Sequence, residues 1–535
     1  MFNHKTMWYS KGQRHRVLIM LLCALTLLPL SAQNPTWVKK TAPAVFTLKT
    51  FRADGSLLSS TNGFFISETG EAVSSFAPFK GAQRAVVIDA QGKEWPVESI
   101  IGGNDMYDVA KFKVDIKKPA TLIMADATTA NGATIWLLPY KVKKDPACTR
   151  GTVSSSEQFQ DKYAYYTMSL NTDEQQAGCP VMNEAGEVIG LLQPSADSNS
   201  ASSYAVSVRF AADMHMSGLG INDPALRQTA VAKAIPEKYD EAVLSLFMGV
   251  SIMEAGEYSD YVERFIRKYP NRADGYIYRA RQEMGAGRFA DADADMKNAV
   301  KVAEQKDDAH YQYAQLIFQK ELLQGDQPYD GWSLDMALQE SKEAYRINPQ
   351  PIYLQQQAQI LYAQKKYNEA FNIYEELSKT DLRNADNFFA AAQCKLQIDD
   401  KKAALMQLDS AVSMFSRPYV KTAAPYLRVR AQLSMEMRRF QQAINDMQDL
   451  VALEPTNADL WAEKASYELR VNLFDQALES SQECLRLNPA GSDGYLMSGI
   501  VQCIKGDKQQ GLENLNKAKE LGNDQAQKFI DKYSQ

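Results

Sequence analysis

The sequence predicts a multidomain protein in which an all-β double barrel precedes an all-α superhelix of repeated helix pairs. Between Asn34 and about Phe210, short apolar stretches alternate with Gly, Pro, Asn and Asp, as expected for many short strands. From about Asp240 onward, that pattern gives way to helical periodicity in Ala, Leu, Gln, Glu and Lys. The chain of 535 residues is also too long for a single hydrophobic core, so two or more folded parts are expected.

The first residues have the pattern of an export signal. Four basic residues and no acid precede an apolar run from Val17 to Leu30, which is followed by Ser31-Ala32. We expect cleavage after Ala32, so that residues 1–32 are a signal peptide and the mature chain is periplasmic or secreted. A transmembrane anchor is the alternative, but the run is shorter than the roughly 20 residues that span a bilayer.

Composition argues against several classes of protein. Without the four basic residues of 1–32, the chain's 59 Lys and Arg fall to 55 against 65 Asp and Glu, an acidic balance that does not favour nucleic acid or anionic membranes. No segment after Ala32 is apolar enough to span a membrane. The mature chain has five scattered cysteines, no Cys-x-x-Cys, and only His215 and His310, so we expect no disulfide framework, no metal site and no cofactor.

The C-terminal half repeats itself at an interval of 34 residues. The interval separates small residues, aromatic or leucine positions, and prolines: Ala431, Ala465 and Gly499; Ala443, Ala477 and Gly511; Leu427, Trp461 and Tyr495; Pro455 and Pro489. Small residues let two helices cross closely, and proline ends the second helix. Because one such unit cannot bury its own apolar face, the units must stack into a superhelix.

These units resemble the tetratricopeptide repeat, as in DLWAEKASYELRVNLFDQALESSQECLRLNP from Asp459 to Pro489. On the same frame, residues 239–535 hold about eight units, of which the first, about 242–270, is weak. Extra residues around 325–328 and near 417–418 are expected in longer inter-helical loops.

The resemblance implies that a protein or peptide partner binds the inner face of the first helix of each unit. Projection of the frame places the following residues there: Ile277, Arg281, Gln355, Gln359, Tyr362, Phe389, Gln393, Gln397, Arg428, Gln432 and Met435. A glutamine amide both donates and accepts, which suits the backbone of an extended peptide. Glutamine is also a good helix former that is readily solvated, so the alternative that these residues have no binding role stays open.

Three stretches of the N-terminal half resemble trypsin-like peptidases of the HtrA type. They read GFFISETGEAVSSFAPF from Gly63, NDMYDVAKFKV from Asn104 and QQAGCPVMNEAGEVIG from Gln175. In that family the corresponding stretches carry the catalytic His, Asp and Ser, and these positions fall here on Ala77, Asp108 and Ala177. The resemblance implies a trypsin-like double barrel over residues 33–215, followed by a Gly- and Pro-containing linker at 216–238.

Two of these three positions lack the catalytic side chain, so we expect a pseudoprotease and not an enzyme. Residues 33–214 contain no His, and no shift of the alignment supplies the base that a hydroxyl nucleophile needs. We expect Cys179 to be a packing residue and Asp108 to be a relic or a structural hydrogen-bonding residue. The amides around Ala177-Gly178 are a candidate for a retained oxyanion-hole-like site that would hold a peptide carboxylate.

Three functions are open at this stage. The favoured one is an exported, non-enzymatic scaffold that binds a protein partner through the repeats. A periplasmic chaperone or regulator for extended chains is the second, and a serine-type peptidase that uses other groups is the third.

Overall fold

The computed structural model describes residues 34–194 and 202–534. The expected signal peptide and its cleavage site lie outside the described residues. The chain divides into two compact units, the first ending at Pro270 and the second beginning at Asn271.

Six strands form the first closed antiparallel barrel, in the order β1-β2-β3-β6-β5-β4. They are β1 (Val45–Phe51), β2 (Leu57–Phe65), β3 (Glu71–Ser74), β4 (Arg84–Ile88), β5 (Glu94–Asn104) and β6 (Val109–Val114). A short helix, α1 (Val38–Thr41), precedes them. Phe46 lies at the centre of the core, where its ring meets those of Phe65 and Phe112 edge to face at centroid distances of 4.8 and 6.2 Å.

A second closed barrel follows, in the order β10-β11-β12-β9-β8-β7. Its strands are β7 (Thr134–Leu137), β8 (Thr149–Phe159), β9 (Tyr163–Ser169), β10 (Pro180–Asn183), β11 (Val188–Leu192) and β12 (Ser203–Ser207), and α2 (Val208–Ala212) comes after them. Alternate inward side chains such as Ile135, Val181 and Leu192 fill its core. The predicted all-β double barrel is therefore confirmed.

The segment 216–238 is not a free linker, contrary to the prediction. Met216, Leu226 and Val231 are buried in the core of the first barrel. The backbone also pairs with the barrel, because the amide of Ile100 donates to Ala232 O and the amide of Ala234 donates to Ile100 O, both at 2.8 Å. The Gly and Pro residues mark turns, while the apolar residues between them bury against the strands.

The first helix pair belongs to the same compact unit as the barrels. It consists of α3 (Tyr239–Ile252) and α4 (Ala255–Lys268). The Lys233 ammonium, which is only 6% exposed, pairs with Glu257 at 2.8 Å, and Arg264 donates to the Lys233 carbonyl at 2.7 Å. The compact units therefore divide after Pro270, whereas the sequence placed the start of the repeat domain at 239.

The second unit is all α-helical, as predicted. Its helices are α5 (Ala273–Gly285), α6 (Phe289–Val302), α7 (Lys306–Leu323), α8 (Leu334–Ile347), α9 (Pro351–Ala363), α10 (Tyr367–Leu377), α11 (Ala385–Gln397), α12 (Lys401–Ser413), α13 (Ala424–Glu436), α14 (Phe440–Leu453), α15 (Ala458–Arg470), α16 (Phe474–Leu487), α17 (Ser492–Lys505), α18 (Lys508–Glu520) and α19 (Ala526–Ser534). Each odd-numbered helix from α5 to α17 packs on the even-numbered helix that follows it.

The sequence interval of 34 residues reappears in the helix starts, because α13, α15 and α17 begin at Ala424, Ala458 and Ser492. Small residues stand at the close crossings, as expected: a Cβ on Gly499 would lie 2.8 Å from the Gly511 carbonyl oxygen. The two insertions form longer connections, at 324–333 between α7 and α8 and at 414–423 between α12 and α13. Part of the first insertion also lengthens α7 to 18 residues.

Candidate functional site

Two of the three triad-like positions lie in direct contact in the first barrel. Ala77 begins a 3-10 turn, Ala77–Phe79, that follows β3. Asp108 lies in the turn between β5 and β6 with a φ of 46°, a left-handed conformation that Asp tolerates better than most residues. The amide of Ala77 donates to Asp108 Oδ1 at 2.6 Å, so the carboxylate binds the backbone of the turn.

Ala177 belongs to the second barrel but is held by the first. It follows a 3-10 turn, Glu174–Gln176, and precedes β10. Its carbonyl oxygen accepts hydrogen bonds from three donors of β2: the Asn62 amide at 3.2 Å, Asn62 Nδ2 at 3.1 Å and Thr61 Oγ1 at 3.1 Å. Asn62 Nδ2 also donates to Gln175 O at 2.6 Å. The loop at the predicted nucleophile position is therefore fastened across the two barrels.

The backbone amides of this loop donate to acceptors within the protein. The amide of Ala177 points to Glu174 O at 3.4 Å, that of Gly178 to Leu192 O at 2.9 Å and that of Cys179 to Gln176 O at 3.0 Å. Gln176 completes a capping box with Asp173, because Gln176 Oε1 accepts a hydrogen bond from the Asp173 amide at 3.1 Å. The amides of Ala177 and Gly178, the expected oxyanion-hole-like donors, therefore already have acceptors, one within the turn and one on β11.

Cys179 packs in the core of the second barrel, as expected. Its side chain is 1% exposed, and burial raises the pKa of the thiol to about 12. The thiol is consequently protonated at neutral pH and is a poor nucleophile. A cleft of about 540 Å³ lies on the outer side of this loop, where Asn62, Tyr140 and Gln175 are among the residues that line it.

Residues 61–191 match the family model of the trypsin-like peptidase domain. The double barrel therefore has a trypsin-like fold. No curated protein matches the sequence.

Matching solved structures include the Rv3671c protease from M. tuberculosis in its active form, at 17% sequence identity and a TM-score of 0.30. The match covers 35% of this chain and 85% of that chain. The serine endoprotease from Yersinia pestis matches at 16% identity and a TM-score of 0.29, over 36% of this chain and 65% of that chain.

The second candidate site comprises the predicted inner-face residues of α5, α9, α11 and α13. Arg281, Gln359, Gln397, Arg428 and Gln432 are exposed, and Gln355, Tyr362, Phe389 and Gln393 are half-buried. Two expectations were wrong, because Ile277 and Met435 are only 7% and 9% exposed and belong to the helical core.

Three of the predicted residues join consecutive first helices by hydrogen bonds. Each of the following donors meets an acceptor on the next odd-numbered helix: Arg281 Nη2 with Gln312 Oε1 at 2.7 Å, Gln355 Nε2 with Asn387 Oδ1 at 2.8 Å, and Arg428 Nη1 with Glu463 Oε2 at 3.1 Å. Sequence reasoning missed the three acceptors. They stand 31, 32 and 35 residues after their donors, close to one repeat length, and that spacing could have identified them.

Between these cross-links, some polar side chains keep their hydrogen-bonding groups unused. Gln359 and Gln393 make no side-chain hydrogen bond with any other residue that the structure describes. Tyr362, three residues after Gln359 on α9, packs edge to face on Tyr367 at a centroid distance of 5.3 Å, and burial raises the pKa of its phenol. The available amides of Gln359 and Gln393 and the aromatic ring of Tyr362 are groups that an extended peptide can contact.

Within 34–194 and 202–534, no three His, Cys, Asp or Glu side chains are grouped as a metal would require. Over the same residues, no helix combines the length and apolarity that a membrane span demands.

Proposed function

We propose that this protein is an exported, non-enzymatic scaffold whose helical unit binds an extended segment of a partner protein. The observation that carries the proposal is the pair of unused amides of Gln359 and Gln393, on α9 and α11, on a face whose neighbouring polar side chains are fixed by cross-links. A peptide backbone offers alternating N–H and C=O groups, and each glutamine amide can satisfy one of each kind.

The helical unit supports the proposal if its pairs are tetratricopeptide repeats. Helix starts at 34-residue intervals and small residues at close crossings are the features that the repeat requires. Stacked pairs of this kind create an extended concave surface, and scaffolds use such surfaces to hold partners.

The trypsin-like domain supports a role without catalysis. Alanine occupies the His-like and Ser-like positions, and residues 33–214 contain no imidazole. The amides of Ala177 and Gly178 already donate to Glu174 O and Leu192 O, and the nearby thiol of Cys179 is buried and protonated. Export itself rests on the basic and apolar residues of 1–32.

The binding role is tested with a photo-crosslinking amino acid placed separately at Gln359 and Gln393 of the full-length protein in cells. The matched control position is Gln448, an exposed glutamine of α14, the second helix of its pair. We expect a single partner to be captured from 359 and 393 and not from 448. Capture of many unrelated unfolded proteins would favour the chaperone function instead, and no position-dependent capture would contradict binding by this face.

The absence of peptidase activity is tested on the purified mature chain with fluorogenic casein and a serine-directed activity probe. We expect neither casein cleavage nor labelling. Labelling of any residue within 34–210 would show that the domain is a working peptidase.

A further inference from the structure

Helix α3 of the first unit is apolar on its exposed side as well as on its buried side. Residues 242–250 read AVLSLFMGV and contain no charged side chain. The buried face consists of Ala242, Ser245, Leu246 and Gly249. A helix that is apolar all round is normally covered on every side, and an exposed one indicates an interaction surface.

The exposed side carries three large side chains on one face. Leu244, Phe247 and Val250 follow one another at intervals of three residues and are 39%, 63% and 59% exposed. Leu219, itself 59% exposed, lies beside them, because the neighbouring Gly218 approaches Leu244 and its carbonyl accepts from Ser245 Oγ at 3.2 Å. We call these four residues, Leu219, Leu244, Phe247 and Val250, the α3 patch.

Exposed acidic side chains stand just before and just after the α3 patch in the chain, and exposed Arg227 shares a cleft with Ile252 and Met253 beyond its C-terminal end. Asp240 lies one turn before Leu244 on the same helix face, and Glu254 follows the last turn of α3; both are exposed. The basic side chain nearest in the chain, Lys238, is paired with Glu241 at 3.2 Å. A partner that covers the patch therefore gains from basic residues on either side of its own apolar surface.

The form of the partner follows from the backbone of α3. Interior backbone groups of a helix are already hydrogen-bonded along the helix, so α3 cannot pair with an added strand and offers side chains only. Residues spaced by three along one face form a ridge that packs into the groove of another helix. A second copy of α3 is a poor occupant, because parallel or antiparallel pairing would set Asp240 and Glu254 against like charges.

We propose that the α3 patch docks an amphipathic helix of another protein whose apolar face is flanked by lysine or arginine. This surface belongs to the first unit and is distinct in the chain from the inner-face residues of α5 to α13. It goes beyond the proposed function, because it gives the scaffold a second contact of different chemistry.

The probe is a synthetic, fluorescein-labelled amphipathic helix with leucines on one face and two lysines at each end. Its binding to the full-length mature protein is followed by fluorescence anisotropy at low salt. The comparison peptide has glutamates in place of the lysines. We expect the lysine peptide to bind at least about tenfold more tightly than the glutamate peptide.

Two variants of the protein locate the contact. Phe247→Asp should weaken the lysine peptide by at least about tenfold, whereas Met406→Asp, at an equally exposed apolar position of α12, should not. The double variant Asp240→Lys/Glu254→Lys should reverse the preference and select the glutamate peptide. Circular dichroism checks that each variant is folded. If Phe247→Asp unfolds, the double variant still tests the proposal, because it leaves the apolar residues of the α3 patch unchanged.

Equal affinity for the two peptides, or binding that is insensitive to both variants, would overturn the proposal. So would a wild-type dimer in sedimentation that Phe247→Asp dissociates while neither peptide binds, because the occupant would then be a second copy. Loss of crosslinking at Gln359 and Gln393 leaves these outcomes unchanged, so the two proposals fail separately.

Discussion

The amide of Ala77 donates a hydrogen bond to Oδ1 of Asp108 at 2.6 Å. In a working triad the carboxylate orients an imidazole ring, but here the same kind of side chain fixes the first residue of a 3-10 turn. Asp108 thus stabilises the start of the turn at Ala77, and its hydrogen bond has a structural effect.

Introducing His at position 77 and Ser at position 177 is not expected to produce peptidase activity. In the double variant Ala77→His/Ala177→Ser, the amides of Ala177 and Gly178 still donate to Glu174 O and Leu192 O, so neither is available to a developing oxyanion. Loss of one such donor alone typically costs about 10²- to 10³-fold in rate. We expect no casein hydrolysis above the wild-type background and no labelling by a serine-directed probe. Hydrolysis by the double variant, absent from both single variants, would show that the loop rearranges readily.

Alkylation distinguishes a buried Cys179 from a reactive one. With its pKa raised to about 12, about one thiol in 10⁴ is ionised at pH 8, and the side chain is 1% exposed. Iodoacetamide should leave Cys179 unmodified in the native chain and modify it fully in guanidinium, as read by mass spectrometry. Half-buried Cys503 is the internal comparison and should react first. Rapid native labelling of Cys179 would refute the packing assignment.

Asp293 of α6 should be critical for the long connection at 324–333. Its carboxylate is 5% exposed and accepts hydrogen bonds from Tyr313, from Tyr329 at 2.9 Å and from Trp332 at 3.1 Å, besides an ion pair with Lys297 at 2.8 Å. Asp293→Ala leaves these buried donors unpaired, and we expect a loss of about 3 kcal/mol in the free energy of unfolding.

The control for Asp293→Ala is Asp291→Ala, an exposed position of the same helix that should cost less than about 0.5 kcal/mol. Urea unfolding measures both variants, and limited proteolysis should cut the 324–333 connection in Asp293→Ala alone. Equal stability of the two variants would contradict the assignment.

The contribution of Asp293 should depend on pH. Burial acts to raise the pKa of this carboxyl, but hydrogen bonds from Lys297, Tyr313, Tyr329 and Trp332 outweigh it and bring the pKa below the ordinary 3.8. A lowered folded-state pKa gives stability that is complete above the ordinary value and disappears as the pH falls through the lowered one. The difference between wild type and Asp293→Ala should therefore be constant from pH 7 to about 5 and shrink below about 4. A difference that grows on acidification would contradict this sign.

Removing one partner of the buried ion pair between Arg430 and Asp446 should destabilise the protein more than replacing both partners by apolar residues. Asp446 is 1% exposed and accepts two hydrogen bonds from Arg430, at 2.9 and 2.6 Å. Arg430→Met leaves a buried carboxylate without its partner, with an expected loss of about 3–5 kcal/mol. Arg430→Met/Asp446→Leu should recover a large part of that loss in chemical denaturation.

An exposed ion pair serves as the control for the loss of stability in Arg430→Met. Arg486 and Glu483 lie at 2.6 Å, but the arginine side chain is 65% exposed, so Arg486→Met should cost less than about 1 kcal/mol. Equal losses for Arg430→Met and Arg486→Met would show that burial does not govern the pair at Asp446.

Several features of the helical unit were predictable from the sequence, whereas the roles of individual side chains were not. Gly499 and Gly511 could be placed at a crossing because only small residues recur there at the 34-residue interval. Ile277 and Met435 were assigned to the wrong surface, since residues at the edge of a helix face are buried or exposed according to the neighbouring helix. The Arg281–Gln312 cross-link follows the repeat spacing, but the bond itself depends on how the two helices stack.

A β-rich half with alanines at positions 77 and 177, followed by a periodic helical half, was evident from the amino-acid sequence alone, because residue types and spacings are local properties. The packing of 216–238 on a barrel, the acceptors of the Ala177 and Gly178 amides, and the exposure of Phe247 on α3 became known only from the folded structure. These outcomes depend on contacts between residues that are far apart in the sequence, because such contacts decide which groups are buried and which hydrogen-bond partners they have.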